Sequence, residues 1–218
     1  MDEKLPFDAY VFDLDGTLLD TLPDLVVLTN TVLRECGYPE HTREEILSYV
    51  GNGAFTLIKQ AVPPNTSIAD TQAALDRWKA SYATLGHRLT LPYAGMPETL
   101  HQLKSRGAKL AVLSNKFDAA TQSVIAEHFP GVFDVVHGEC DEFPRKPDPA
   151  GLLRTLQELG VSPSRAAYVG DSAGDMDVAR RAGVFAIGVA WGYQPTEVLQ
   201  KAGANIIIEV PADVLTTY

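Results

Sequence analysis

The chain has 218 residues, with 28 Asp+Glu against 18 Lys+Arg and a formal net charge of −10. Its 45% hydrophobic and 21% charged residues are those of a folded globular protein, which excludes a largely disordered chain. The acidic balance excludes a general nucleic-acid binder, since affinity for polyphosphate needs basic surface, but it leaves room for a small anionic substrate where positive charge is concentrated.

At this length folding should bury roughly 70–75% of the unfolded surface, and one or two domains are expected. Cys36 and Cys140 are far apart and form no Cys-x-x-Cys pattern. Neither a disulfide framework nor a zinc-thiolate site is therefore expected, and a reducing, cytoplasmic setting is the default. No apolar run approaches the about 18 residues of a membrane-spanning helix, so no membrane partner is expected.

The first apolar run, residues 9–14, reads as a buried strand. It carries Asp13 and is followed by Asp15, so a secretory signal is not expected here. Residues 17–88 switch to helical spacing. Leu22, Leu25, Val26, Val32 and Leu33 fit one helix face, with Thr21 and Asp24 as a capping-box-like start. Thr42 and Glu45 form a second box, opening a helix through Tyr49. Phe55, Leu57 and Ile58 predict a third helix, and Leu75, Trp78 and Tyr82 a fourth. No strand is expected in this stretch, which reads as an inserted helical domain.

Beyond it, apolar runs at 108–113, 132–136, 166–169, 184–189 and 205–210 alternate with amphipathic stretches. Leu100, Leu103 and Lys104 share a face that ends at Gly107. Leu152, Leu153, Leu156 and Leu159 share one that ends at Gly160, and Val178, Ala179 and Ala182 one that ends at Gly183. Glycine just past the last periodic residue is a helix C-terminal signal. Asp148-Pro149 reads as an N-cap and first helical position. The alternation predicts an α/β fold. A Rossmann-like parallel sheet core flanked by helices would comprise residues 1–16 and 89–218, with the small helical domain at 17–88.

Four segments carry chemistry. In Tyr10-Val11-Phe12-Asp13-Leu14-Asp15-Gly16-Thr17, two carboxylates close an apolar strand. Like charges so close to a dry core cost several kcal/mol unless something offsets them, and a hard divalent cation does so naturally. A second acid follows the strand of Tyr168-Val169-Gly170-Asp171-Ser172-Ala173-Gly174-Asp175. Ligands of open α/β sheets bind outside the carboxyl ends of strands, so Asp171 is expected to converge with Asp13 and Asp15 on one ion. Asp175 reads either as an N-cap or as support for the site, and Asp177 as first-turn helix charge. Ser114-Asn115-Lys116 ends a third strand, where a hydroxyl can donate to a phosphate oxygen. Arg145-Lys146-Pro147-Asp148-Pro149 puts a point charge on a stiff backbone. Three carboxylates and a phosphate dianion would bring about −5 into one pocket, and Mg²⁺ with one lysine would return about +3, the rest falling to backbone N–H groups.

These segments, in this order, resemble the motifs of the haloacid dehalogenase superfamily of aspartate-nucleophile phosphatases: Asp13-Leu14-Asp15-Gly16-Thr17, Ser114, Lys146 and Gly170-Asp171-Ser172 with Asp175. The helical insertion looks like the small cap of that superfamily. Within it, Ser48-Tyr49-Val50-Gly51-Asn52-Gly53-Ala54, Ser114-Asn115-Lys116 and Ala190-Trp191-Gly192-Tyr193 are most similar to the phosphoglycolate phosphatases.

The resemblance implies a Mg²⁺-dependent phosphomonoester hydrolase. Asp13 would attack phosphorus to form an aspartyl-phosphate, and Asp15 would protonate the leaving oxygen and then activate water. Asp13, the Asp15 carbonyl and Asp171 would hold Mg²⁺. Ser114, Asn115 and Lys146 would bind phosphate, Thr17 would orient Asp15, and Asp175 would support the lysine or a metal-bound water. The second aspartate argues against carbon–halogen chemistry, and neither Lys59 nor Lys79 matches a phosphonate-hydrolase context. Gly51-Asn52-Gly53 reads either as a plain turn or as a loop presenting N–H groups to a substrate carboxylate.

The expected partner is a small phosphorylated metabolite such as 2-phosphoglycolate, bound by a monomer or homodimer. Pyrophosphate hydrolysis and β-phosphoglucomutase-like chemistry are the alternatives within the fold. A phosphoacceptor signalling module is a remote one, since such modules are shorter and place no Asp-x-Asp-Gly-Thr on the first strand. His41, His87, His101, His128 and His137 show no helical ligand spacing and are expected to be structural or exposed. Trp78 and Trp191 are expected to pack.

Overall fold

The computed structural model describes residues 5–85, 88–142 and 144–216; His87 lies outside them. The chain forms two compact units, one of Met1–Leu19 with Pro92–Tyr218 and one of Asp20–Leu91. In chain order the elements begin with β1 (Ala9–Phe12) and the short β2 (Leu19–Asp20). The helices α1 (Leu22–Glu35), α2 (Arg43–Tyr49), α3 (Ala54–Ala61) and α4 (Ile68–Leu85) follow. After β3 (Leu91–Pro92), helices and strands alternate: α5 (Met96–Ser105), β4 (Lys109–Phe117), α6 (Asp118–His128), β5 (Val135–Glu139), α7 (Ala150–Leu159), β6 (Ala166–Gly170), α8 (Ala173–Ala182), β7 (Phe185–Val189), α9 (Thr196–Ala202) and β8 (Ile206–Ile208). Among the described residues no helix is long and apolar enough to cross a membrane.

The larger unit is an α/β fold around a parallel sheet of order β5-β4-β1-β6-β7-β8. All of β1 and β6 is buried, which is why these strands read as unbroken apolar runs. Alternate residues feed two cores. Tyr10, Phe12, Leu110, Val112, Ala167 and Val169 face one, while Val11, Ala111, Leu113, Ala166 and Tyr168 face the other. At roughly 1.5–3 kcal/mol for each large apolar side chain buried, these two layers fix the register of the central strands. The chain order reverses beside β1: β4 pairs on one side of it and β6 on the other. That is the switch point outside which open α/β sheets place their ligands.

Several local expectations change in detail. Lys104 turns away from the face of Leu100 and Leu103 to meet Asp134 at 2.6 Å, and Leu153 is 43% exposed. Helix α7 starts at Ala150, with Asp148 accepting its N–H at 2.9 Å. Gly160 and Gly183 do end α7 and α8 in the left-handed conformation, where a side chain would be strained.

The smaller unit is built from α1–α4, and the two-residue strand β2 falls in the 17–88 stretch, where the sequence predicts no strand. Leu25, Leu28, Val32, Ile46, Leu57, Ile58, Leu75, Trp78 and Tyr82 are buried in it, and Trp78 Nε1 donates to Thr29 Oγ1 at 3.1 Å. The Thr42–Glu45 capping box forms. The one expected at Thr21 does not, because the Asp24 carboxylate is taken by better donors: Leu89 N at 3.0 Å, Thr90 N at 2.7 Å and Thr90 Oγ1 at 2.7 Å. Gly51 (φ 107°) and Gly53 (φ 81°) bracket Asn52 at the start of α3, and Gly53 is its N-cap.

Candidate active site

The carboxyl ends of β1, β4 and β6 gather the polar side chains that the apolar strands cannot hold along their length. Asp13 follows β1, and its N–H donates to the Val169 carbonyl at 2.9 Å, locking the end of β1 to β6. The chain then winds tightly, with the N–H groups of Thr17, Leu18 and Leu19 all turning back to the Leu14 carbonyl. Gly16 (φ 82°) permits the turn.

Three acids converge: carboxylate oxygens of Asp13, Asp171 and Asp175 lie within 4.8 Å of one another. Asp13 is 8%, Asp171 2% and Asp175 0% exposed. Lys146 Nζ enters the group at 2.9 Å from Asp13 Oδ1 and 2.7 Å from Asp175 Oδ1. It also donates to the Tyr168 hydroxyl at 2.9 Å, which donates in turn to the Leu113 carbonyl at 2.7 Å. Asn115 sets the lysine's backbone from the end of β4. Its Oδ1 accepts from Lys146 N at 2.9 Å and its Nδ2 donates to Lys146 O at 3.2 Å.

Asp171 is gripped from two sides, by Thr17 Oγ1 at 3.0 Å and by the Tyr193 N–H at 2.7 Å. Thr17 thus orients Asp171, not Asp15 as expected. Asp175 is neither an N-cap nor merely a neighbour of the lysine. Ser172 is the N-cap of α8, and Asp175 is its capping-box partner, accepting from Ser172 N at 2.9 Å through Oδ2 while Oδ1 meets Lys146. Asp177 pairs outward with Arg180 and Arg181.

Space around the acids is kept by glycines. A Cβ on Gly16 would lie 2.3 Å from Asp171 Oδ2, one on Gly170 2.4 Å from Asp175 Cβ, and one on Gly192 2.1 Å from Asp171 Cβ.

Burial, reinforced by the Asp175 charge, pushes Asp13 up to about 7. Burial and then Asp175 raise Asp171 well above the usual carboxylate range. Burial disfavours the Lys146 ammonium, but Asp13 and Asp175 overcome it and hold that lysine well above its ordinary value.

The residues fit a hard divalent cation. Three buried carboxylates offer only oxygen donors and face one ammonium within their group. Asp13 Oδ1, although within ion-pair distance of Lys146 Nζ, receives no aligned hydrogen bond. That is the donor set Mg²⁺ prefers.

The other expected residues are placed differently. The Asp15 carboxylate is not part of the acid group; Lys116 Nζ meets it at 3.0 Å. Asn115 spends its amide on the Lys146 backbone. Ser114 is buried at the end of β4, where its Oγ accepts from Lys116 N at 3.2 Å. Gly51, Asn52 and Gly53 belong to the helical unit. Trp191 packs against the core, and its Nε1 donates to the Thr17 carbonyl at 3.0 Å. Tyr168 and Lys116 carry contacts that sequence reading did not assign to the site. Lys116 lies two residues beyond Ser114, but β4 is irregular between Leu113 and Phe117, so strand alternation alone does not place it.

The family model for haloacid dehalogenase-like hydrolases matches residues 10–189. A phosphoglycolate phosphatase of Vibrio cholerae is 35% identical over 205 residues, 90% of this chain and 90% of its own length. One of Pseudomonas putida is 34% identical over 207 residues, 91% of this chain and 75% of its own. Among solved structures, a predicted phosphoglycolate phosphatase from Haemophilus somnus is similar at TM-score 0.92 and 26% identity, covering 98% of this chain and 99% of that one. CbbY from Rhodobacter sphaeroides, in complex with phosphate, is similar at TM-score 0.78 and 25% identity, covering 97% and 100%.

Proposed function

This chain belongs to the haloacid dehalogenase-like hydrolase family, and on that premise we propose that it is a Mg²⁺-dependent phosphatase of small phosphomonoesters, 2-phosphoglycolate first among them. The observation that carries this reading is the meeting of Asp13, Asp171 and Asp175 within 4.8 Å of one another, with the Lys146 ammonium against Asp13 and Asp175. So much buried negative charge suits a reaction whose substrate arrives with its own cation.

In this reading an Asp13 oxygen bonds to phosphorus as the ester oxygen departs, leaving an aspartyl-phosphate. Asp15 gives the departing oxygen its proton. It then takes one from the water that displaces Asp13, so that enzyme and protons return to their starting state. Lys146 and Ser114 bind the non-bridging oxygens. Asn115 fixes where the lysine stands, and Thr17 with the Tyr193 N–H fixes Asp171. Mg²⁺, held by Asp13, Asp171 and the Asp15 carbonyl with Asp175 in support, would supply charge neutralisation at the phosphoryl group. For the carboxylate of phosphoglycolate we assign Gly51-Asn52-Gly53, whose positive-φ glycines let backbone N–H groups turn toward an anion.

Support comes also from the named relatives, which are phosphoglycolate phosphatases at 34–35% identity. The deciding experiment is a substrate panel of 2-phosphoglycolate, pyrophosphate and β-glucose 1-phosphate, with Mg²⁺ or with EDTA. Phosphate release should be fastest from phosphoglycolate and should stop in EDTA. Conversion of glucose 1-phosphate to the 6-phosphate without free phosphate would overturn the assignment.

A further inference from the structure

Lys116 has no part in the reaction as described, yet its ammonium is built into the site. Its side chain is 3% exposed, and Nζ lies 3.0 Å from Asp15 Oδ1 and 3.4 Å from Oδ2, across 101 residues of chain. Its backbone is held on both sides, the N–H by Ser114 Oγ at 3.2 Å and the carbonyl by Thr121 Oγ1 at 3.2 Å. An ammonium whose backbone is anchored by these two hydrogen bonds and which reaches both oxygens of a carboxylate restricts the torsion of that carboxylate. Lys116 and Lys146 serve different acids. Lys146 serves Asp13 and Asp175, and Lys116 serves Asp15. Asp15 stands only two residues from Asp13, so without such a tether its carboxylate could swing toward the same ion.

We propose that Lys116 is a positioning residue: it keeps the Asp15 carboxylate out of the acid cluster and in the orientation from which it exchanges protons with the leaving oxygen and with water. The inference rests on the phosphatase reading above. It makes a demand that general damage to the fold would not. An alkyl phosphate such as phosphoglycolate needs its leaving oxygen protonated as the P–O bond breaks, whereas nitrophenolate departs from p-nitrophenyl phosphate without a proton.

The test compares kcat/KM, which reports the phosphorylation step, for both esters in wild type, Lys116→Met and Lys116→Arg. Lys116→Met should lose at least about tenfold more on phosphoglycolate than on p-nitrophenyl phosphate, within the range for a misplaced general acid. Lys116→Arg, which keeps a cation but changes its shape, should disturb the ratio less than Lys116→Met does. Lys116→Gln reads the same ratio should the methionine variant not fold. A wild type that hydrolyses neither ester overturns the phosphatase reading and this proposal with it. A wild type that hydrolyses both, with equal losses on the two esters in the neutral variants, overturns the proposal alone.

Discussion

Asp175 is fully buried, and Lys146 Nζ lies 2.7 Å from its Oδ1. Neither charge is tolerable at that depth without the other, because each has lost its water. The pair also joins two elements, since Asp175 closes the capping box of α8 through its other oxygen.

Replacing Lys146 with Met should therefore act on stability as well as on activity. It leaves Asp175 and Asp13 facing each other with no cation, a change that typically costs about 3–5 kcal/mol. Urea unfolding in EDTA measures it. Added Mg²⁺ should restore part of the loss, since a bound cation stabilises whatever binds it. An unfolding midpoint equal to that of wild type would show that the acids take up protons at no cost.

The two acids of the first motif should separate in kinetics. Asp13→Asn should abolish turnover, because in the proposed reaction the Asp13 oxygen forms the covalent intermediate and an amide cannot replace it. Asp15→Asn should cost about 10²–10⁴-fold, the usual contribution of a general acid–base. Rapid-quench trapping of labelled phosphate on the protein distinguishes them further, with label present in Asp15→Asn and absent in Asp13→Asn. Near-normal turnover by Asp13→Asn would remove it as the nucleophile.

The sheet was legible because a parallel strand buried on both faces must be apolar along its whole length, as 9–12 and 166–170 are. The acids stood out for the complementary reason: Asp13 and Asp171 are charges placed where such strands end. What sequence could not supply was pairing over distance. Thr17 meets Asp171 across 154 residues, and Asn115 clamps the Lys146 backbone across 31. The family resemblance implied an Asp15 partner for Thr17 and a phosphate for Asn115, and the fold pairs them instead with Asp171 and the Lys146 backbone. The same competition undid the Thr21–Asp24 cap, where donors from Leu89 and Thr90 took the carboxylate. Tyr168 reads as a core aromatic, and it packs as one; its hydroxyl, between Lys146 and the Leu113 carbonyl, and its ring, with its centroid 5.4 Å from Lys146 Nζ, also face the site.

The raised acids give stability a definite pH slope. Burial and then Asp175 push Asp13 up to about 7, and Asp171 is raised as well. A free aspartate titrates near about 4, so between about pH 4 and 7 the folded chain binds more protons than the unfolded one. The stabilising contribution of Asp13 is then complete below that window and lost as pH rises through about 7. Lys146, also raised, is charged in both states throughout this range and adds no slope to it. In EDTA, the stability difference between wild type and Asp13→Asn should shift against wild type from about pH 5 to about pH 7 and then level off. The stabilisation gained from Mg²⁺ should grow over the same interval, because the cation binds the ionised acids. Parallel urea curves for wild type and Asp13→Asn in EDTA would deny the shift.

Gly192 tests how closely the ion site is walled. A Cβ there would come 2.1 Å from Asp171 Cβ and 2.7 Å from its Oδ2, so Gly192→Ala must move either the loop or the acid. Moving the loop also withdraws the Tyr193 N–H, which holds Asp171 Oδ2 at 2.7 Å. Displacing such a supporting contact typically costs about 10–100-fold in metal affinity or activity. Gly174→Ala is the comparison. Gly174 lies in α8, its nearest neighbour to an added Cβ is Ser172 Oγ at 3.6 Å, and alanine there should stabilise by up to about 1 kcal/mol through helix propensity. Mg²⁺ titrations followed by thermal unfolding should give a weakened response for Gly192→Ala and a normal one for Gly174→Ala. If Gly192→Ala instead binds Mg²⁺ as tightly as wild type, the loop yields without moving Asp171, and Thr17 alone is enough to hold that carboxylate.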